Sequence, residues 1–257
     1  MLSDPWFYAA AIPSVLLVGL SKGGLGGAMA LLGVPLMSLV VPPVQAAAIL
    51  LPILIVMDMV GLWSWRHHSD RMTLKIMLPG AMIGIGIAWM TAAFVTDAMI
   101  KLLVGVVALI FALDYARRAW QLRGGAPSGE RPHNRVKGAF WGTVSGFTSF
   151  ISHAGGPPYQ VYALALRQEP RTYVGTSVRF FAVVNAVKVV PYLALGQFDA
   201  SNLQASLVLL PLAPIATLAG AAIVRRIRAE RFYPFMYGMV FLAALKLIWD
   251  GLGGLLA

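Results

Sequence analysis

The sequence has no cysteine and few charged residues, and both shortages narrow what the protein can be. Without cysteine, disulfide bonds, thiolate metal sites and cysteine nucleophiles are excluded. Only 12% of the 257 residues are charged, about half the fraction found in a soluble domain. Hydrophobic residues make up 59% of the chain, in long runs that fill almost all of it. This composition predicts a polytopic α-helical membrane protein.

Sequence motifs for catalysis are missing as well. The chain has no Walker A motif, no His-Glu-x-x-His, no Gly-x-Ser-x-Gly and no cluster of carboxylates. Ser152 stands next to His153, but this local pair lacks the third member of a catalytic triad. We therefore expect no enzymatic activity, no resident metal and no cofactor.

Ten apolar segments can be drawn, and the connections between them differ in charge. The segments cover approximately residues 5–21, 24–41, 44–64, 75–94, 98–116, 138–152, 156–166, 172–195, 203–224 and 232–256. Four connections hold 15 of the 20 Lys and Arg residues. These are Arg66, Arg71 and Lys75; Arg117, Arg118, Arg123, Arg131, Arg135 and Lys137; Arg167 and Arg171; and Arg225, Arg226, Arg228 and Arg231. The other connections carry Asp4, Asp97, Asp199 and Asp250.

This distribution of charge predicts the orientation of the chain. By the positive-inside rule the four basic connections are cytoplasmic and both termini lie outside. No basic residue precedes the first apolar run, so we expect a retained helix there and not a cleaved signal peptide. The net charge of +10 is then explained by topology and by attraction to anionic lipid. Nucleic-acid binding is not expected.

The stretch "ISHAGGPPYQVYALALRQEPR", residues 151–171, interrupts the apolar pattern. About ten residues separate its glycines from Arg167, which is roughly 15 Å of helix. The hydrocarbon core of a bilayer is about 30 Å thick, so this return segment is too short to span it. Residues 138–166 are therefore predicted to form a re-entrant helical hairpin with its tip near mid-membrane, where irregular backbone must be buried in protein or line a wet cavity.

The first half of the chain offers a counterpart to this hairpin. "SKGG" at 21–24 is similar to "SHAGG" at 152–156, and Asp58 and Asn185 each lie 15 residues after a matching proline. Each half then consists of a broken or re-entrant hairpin and three long helices. Three spans per half is an odd number, so the fold is predicted to be all-α with two inverted-topology repeats. The predicted divisions are a first membrane repeat at 1–120, a cytoplasmic linker at 121–136 and a second membrane repeat at 137–257. The first hairpin, residues 5–41, is expected to re-enter, although both of its segments are just long enough to span.

Ionisable residues at membrane depth suggest what is bound. Lys22, Asp58, His153, Arg179 and Lys188 all fall inside apolar segments or at the predicted tips. Such residues need partners or a water-filled cavity, and the cations outnumber the single acid, which favours an anion. Helix N-termini after the glycines would add backbone N–H donors. The predicted substrate-binding residues are Lys22, Gly23, Gly24, Ser152, His153, Gly155, Gly156, Arg179, Asn185 and Lys188.

Each of these residues also has a structural interpretation. Arg179 could pair with Asp58 as an intramembrane bridge, and Lys188 could extend outward to the membrane surface. His153 could hold the tip together, bind the anion or carry a proton. Asp58 is either a counter-ion or a proton-coupling group. Asn185 could donate to the substrate or to a neighbouring helix.

The strings "GLSKGGLGG…GVPL" and "FTSFISHAGGPPYQVY…VGTSVRFF…N…K…PYLALGQF" resemble the sulfite exporter TauE/SafE family of bacterial membrane proteins over essentially the whole chain. Each half has two consecutive glycines where the family often has three. The resemblance implies a multi-pass transporter of the bacterial inner membrane with a two-half architecture and, with the topology above, periplasmic termini. The implied substrates are small sulfur-containing anions such as sulfite, sulfoacetate or isethionate, usually exported.

Together these observations predict a secondary transporter in which two halves rock around a midplane site between the Gly-rich hairpin tips. The expected partners are a small anionic substrate and the lipid bilayer, with protons or another ion as the coupling partner. Homo-oligomerisation is left open. The alternatives are an anion channel with the same site, or transport of another small anion such as a carboxylate or sulfate.

Overall fold

A computed structural model gives the structure of residues 2, 4–91, 97–121, 131–194 and 199–256. Every regular element in these residues is a helix. Along the chain they are α1 (Pro5–Leu20), α2 (Gly27–Ala30), α3 (Gly33–Met37), α4 (Pro43–Ser64), α5 (Arg71–Thr91), α6 (Asp97–Gln121), α7 (Arg135–Ser152), α8 (Gly156–Ala163), α9 (Pro170–Ala194), α10 (Ala200–Leu209), α11 (Leu212–Arg226) and α12 (Ala229–Leu256). A π-helical turn, Ser21–Leu25, follows α1, and a 3-10 turn, Leu164–Leu166, follows α8.

Several of these helices are long and apolar enough to cross a membrane. In the described residues they are Pro5–Leu25, Gln45–Ser64, Arg71–Thr91, Pro170–Ala194 and Glu230–Leu255. The α10–α11 pair, bent by 47°, makes a sixth span if it is counted as one. The chain is thus an all-helical, multi-pass membrane protein, as its composition predicts. The inverted orientation of the two halves and the boundaries of the linker stay predictions.

Both predicted hairpins are broken at their glycines. In the second, α8 has only 8 residues, and the backbone N–H of Arg131 donates to the Leu166 carbonyl at 2.9 Å. The hairpin therefore returns to the end of the bundle at which α7 began. In the first, the returning segment is divided into α2 and α3, and Ser14 Oγ donates to the Gly33 carbonyl beside it at 2.6 Å. The returning segment is therefore not the single long helix that would be needed to span.

The described residues of the four basic loops lie together at one end of the bundle, which we call the basic end. Asp70, in the α4–α5 loop, pairs with His133 and accepts a hydrogen bond from Gln168 Nε2, both at 2.6 Å. Arg225 donates to the Ser64 carbonyl at 2.7 Å. The loops of the predicted first half are thus bonded directly to loops of the second.

Helices of the two predicted halves are interleaved. α5 packs along α7, α6 along α12 and α1 along α11, while α4 crosses α9. The α5–α7 contact is so close that a Cβ at Gly84 would collide with the Thr143 carbonyl, and one at Gly146 with the Ala81 carbonyl. Because interiors are close-packed, moving one whole sequence half against the other would break all of these interfaces.

Two buried apolar clusters flank the crossing of α4 and α9. One joins α1, α3 and α4 to α10 and the start of α11. The other joins α5, α7, α8 and α9 to α12. The polar residues described next lie between the two clusters.

Candidate functional site

A cavity of about 100 Å³, measured as the space open to the centre of a water molecule, lies between the two apolar clusters. Both hairpin tips and α9 line it. The predicted site residues in its lining are Lys22, Gly24, His153, Gly156, Asn185 and Lys188. By this measure roughly 10–15 Å³ is enough for one water molecule. The cavity therefore has space for several waters or for one small ion.

Asp58 connects the first tip to the crossing of α4 and α9. Lys22 Nζ lies 2.6 Å from Oδ1 of this carboxylate, and Asn185 Nδ2 donates to Oδ2, also at 2.6 Å. Asp58 and Asn185 are each only 4% exposed. The charge of Lys22 is thus balanced by a buried carboxylate, and the structural interpretation in which Asp58 pairs with Arg179 is wrong.

Lys188 points at the second tip. Its ammonium lies 3.2 Å from both the carbonyl and the hydroxyl of Ser149, and 3.3 Å from His153 Nδ1. With 1% of the residue exposed, Lys188 does not extend to the membrane surface, so that interpretation is wrong. No carboxylate lies within 4 Å of this ammonium among the described residues.

His153 ends α7 in the left-handed conformation, with φ at 53°. Its Nε2 lies 3.0 Å from the hydroxyl of Tyr192. An ammonium can only donate, so with Lys188 protonated Nδ1 is the acceptor and a neutral imidazole carries its proton on Nε2. The sequence-based site lacks Tyr192, which lies four residues after Lys188 on the same helical face, a spacing that could have revealed it.

The prediction that helix N-termini add backbone N–H donors is wrong at the second tip. α8 begins with Pro157 and Pro158 directly after Gly156, and proline has no N–H. The N–H of Tyr159 already donates to the Gly155 carbonyl at 3.2 Å. At the first tip α2 has only 4 residues, too few for a substantial dipole. Donors for a ligand must come mainly from side chains.

Arg179 does not line the cavity. Its guanidinium donates to the carbonyls of Trp65, Arg66 and His68 at 2.7–3.0 Å, and to that of Gly175 one turn back at 2.9 Å. The carbonyls of Trp65, Arg66 and His68 lie just after the last turn of α4, and that of Trp65 also accepts from the His68 N–H at 3.0 Å. Arg179 thus links α9 to the α4–α5 loop through hydrogen bonds, and it is not among the predicted site residues that line the cavity.

The remaining predicted residues support the tips. The Gly23 carbonyl accepts a hydrogen bond from the buried Trp65 indole at 3.1 Å, and the Gly155 carbonyl accepts from Ser145 Oγ at 2.7 Å. Gly24, with φ at 131°, adopts a conformation open almost only to glycine. The side chain of Ser152 lies outside the described residues.

A second polar cluster surrounds Asp70 at the basic end. Partial burial raises the pKa of this carboxyl. Hydrogen bonds from Thr73, the Met72 N–H, His133 and Gln168 lower it more strongly, to about 2. The cluster joins the α4–α5 loop to loops of the second half and lies apart from the cavity. In the described ranges no group of three His, Cys, Asp or Glu side chains is arranged to hold a metal ion.

Comparison with protein families identifies a match over most of the chain. The family described as "Sulfite exporter TauE/SafE" matches residues 11–247, nearly the whole chain. Searches of curated proteins and of solved structures returned no significant match.

Proposed function

The chain belongs to the sulfite exporter TauE/SafE family, and from that premise we propose that it is a secondary transporter that exports sulfite or a small organosulfonate. In this proposal the protein lies in the bacterial inner membrane with both termini in the periplasm, and it catalyses no reaction. The substrate occupies the cavity between the hairpin tips, in contact with Lys188, His153 and Asn185.

The environment of Lys188 carries the proposal. Its ammonium is buried, its hydrogen-bond partners are neutral, and no carboxylate lies within 4 Å of it in the described part of the chain. A buried charge without a counter-charge is strongly unfavourable. An anion in the adjoining cavity would supply the missing charge, which supports an anionic substrate over a cationic or neutral one.

The balance of charge around the cavity supports a monoanion. Lys22 and Asp58 neutralise each other, and His153 accepts a hydrogen bond from Lys188, which requires a neutral ring. One positive charge, that of Lys188, is then left. A sulfonate or hydrogensulfite carries one negative charge and matches it, whereas sulfate carries two.

His153 is the group through which a proton would be coupled to transport. Protonating the imidazole removes the acceptor for Lys188 and places two cations 3.3 Å apart. A bound anion would relieve this repulsion, so proton and substrate binding would favour each other. Asp58, paired with Lys22, serves as the counter-ion of the first tip in this scheme.

The proposed mechanism is alternating access with moving groups that contain helices of both halves, because the halves are interleaved. Opening at the basic end would have to separate Arg179 from the α4–α5 loop, Arg225 from Ser64, and Asp70 from Gln168. We assign these three contacts to the state that is closed at that end.

Counterflow in proteoliposomes tests the proposal. Vesicles loaded with unlabelled isethionate or sulfite should take up the labelled anion in a saturable manner, and protein-free vesicles should not. Loading with acetate or sulfate should give much weaker exchange. Large single-channel currents without counterflow would establish an anion channel instead, and equal exchange of acetate would assign the transporter to another anion class.

A further inference from the structure

A second cavity opens at the basic end between α6, α7, α8 and α12, with a volume of about 350 Å³ by the same measure. Three cationic side chains line it, Arg131, Lys137 and Arg167. In the ranges that the structure covers, none of the three has a carboxylate within 4 Å. Asp114 also lines the cavity, so the formal charge of its lining is +2. These features favour an anionic ligand with more than one acceptor oxygen.

Aromatic side chains form the walls of this cavity. Tyr115 and Tyr237 stack with their ring centroids 3.6 Å apart, and Phe111, Trp141 and Tyr162 also line the cavity. Tyr and Trp concentrate where a membrane meets water, since one end of each ring system is apolar and the other is polar. Cations and aromatic rings together therefore place the cavity at the level of lipid headgroups.

An apolar strip of α6 leads away from the cavity. Val106, Ile110 and Leu113 recur at helical spacing and are 41%, 62% and 51% exposed. These fractions of the three side chains are not covered by any described residue of the protein. A soluble anion would leave this strip unused, whereas acyl chains attached to the anion would cover it.

We propose that this cleft binds the phosphate group of an anionic phospholipid from the leaflet at the basic end, with the acyl chains along α6. Arg131, Lys137 and Arg167 hold the phosphate oxygens, and the aromatic walls contact the glycerol region. The return segment of the second hairpin ends at Arg167, and the Arg131 N–H bonds to Leu166 beside it. The bound lipid thus joins the base of this hairpin to α6 and stabilises the fold.

The test uses the full-length protein in a neutral detergent. Phosphatidylglycerol should raise the unfolding temperature by roughly 5 °C, and phosphatidylcholine, whose headgroup is neutral overall, should not. The double variant Arg131→Gln, Arg167→Gln should lose the shift. The matched control Arg226→Gln, Arg228→Gln removes two exposed cations from the same end of the bundle but outside the cleft, and it should keep the shift.

Several results would overturn the proposal. An equal shift in the cleft variant and in the control would mean nonspecific attraction to the basic end. An equal shift with phosphatidylcholine would exclude recognition of the charge. Inorganic phosphate that produced the full shift alone would assign the cleft to a soluble anion and not to lipid. If the double variant does not fold, the single variant Lys137→Gln, with an exposed side chain, should need several-fold more phosphatidylglycerol, and an unchanged titration would contradict the assignment.

Discussion

Asp58 and Asn185 meet where α4 and α9 cross, with Asn185 Nδ2 donating to Asp58 Oδ2 at 2.6 Å. Each lies 15 residues after the proline that begins its helix, so equivalent positions of the proposed repeat are in contact. Contact between equivalent positions is what a two-fold axis through the crossing would produce. The chemistry is not symmetric, however: the acid pairs directly with Lys22, while no carboxylate of the described residues lies within 4 Å of Lys188.

This asymmetry predicts strong coupling between Lys22 and Asp58. Removing either partner leaves the other charge buried alone, so Lys22→Met and Asp58→Asn should each lower stability by about 3–5 kcal/mol. The double variant should be more stable than either single variant. Thermal unfolding of all four proteins gives the coupling free energy. Additive losses would mean that the ion pair contributes no coupling.

Asp58 should also set the charge preference of the cavity. Asp58→Asn raises the formal charge beside the cavity from one to two, so it should improve sulfate binding relative to isethionate. Titrating both anions against the wild-type protein and this variant, at constant ionic strength, measures the ratio of their Kd values. A ratio that does not move would show that Asp58 does not influence the bound anion.

Arg179 should matter for stability and not for binding. Arg179→Gln removes the guanidinium donor from the Arg66 and His68 carbonyls, and a buried carbonyl left unsatisfied costs about 1–3 kcal/mol, so the unfolding temperature should fall. The Kd for the anion should change by less than about twofold, because Arg179 does not line the cavity and no contact with the anion is lost. Arg171→Gln, at an exposed position of the same helix, is the control and should change neither quantity. A higher Kd for the anion at unchanged stability would show that Arg179 belongs to the binding site.

The lowered pKa of Asp70 predicts that the stability of the protein depends on pH. Its folded pKa of about 2 is below the usual 3.8, so the carboxylate stabilises the fold fully above roughly pH 4 and loses this contribution as the pH falls to about 2. Asp70→Asn should therefore unfold at a lower temperature than the wild-type protein at pH 6, and the difference should shrink between pH 4 and pH 2. Glu169→Gln, an exposed acid at the same end, should show no such gap. If the difference in unfolding temperature between Asp70→Asn and the wild-type protein stayed constant with pH, the ionised carboxylate would not be its cause.

The membrane-spanning helices and the broken second hairpin could be predicted from the sequence, because hydrophobic runs and the distance from Gly156 to Arg167 fix them locally. The shortage of backbone N–H donors at the start of α8 could also be predicted from the sequence, because Pro157 and Pro158 have no N–H. The role of Arg179 was not, because the carbonyls that it binds belong to another helix, and only the packing of α4 beside α9 brings them within reach. The interleaving of the halves likewise depends on contacts distant in sequence, such as Gly146 against Ala81.

In the proposed mechanism the charge of Lys188 holds an anion in the cavity between the hairpin tips. The shift in unfolding temperature that isethionate or sulfite causes measures this binding, since a ligand of the folded state stabilises that state by mass action. The wild-type protein and Lys75→Ala, which removes an exposed lysine away from the cavity, should show this shift, and Lys188→Ala should fold but not respond. An undiminished shift in Lys188→Ala would contradict the account.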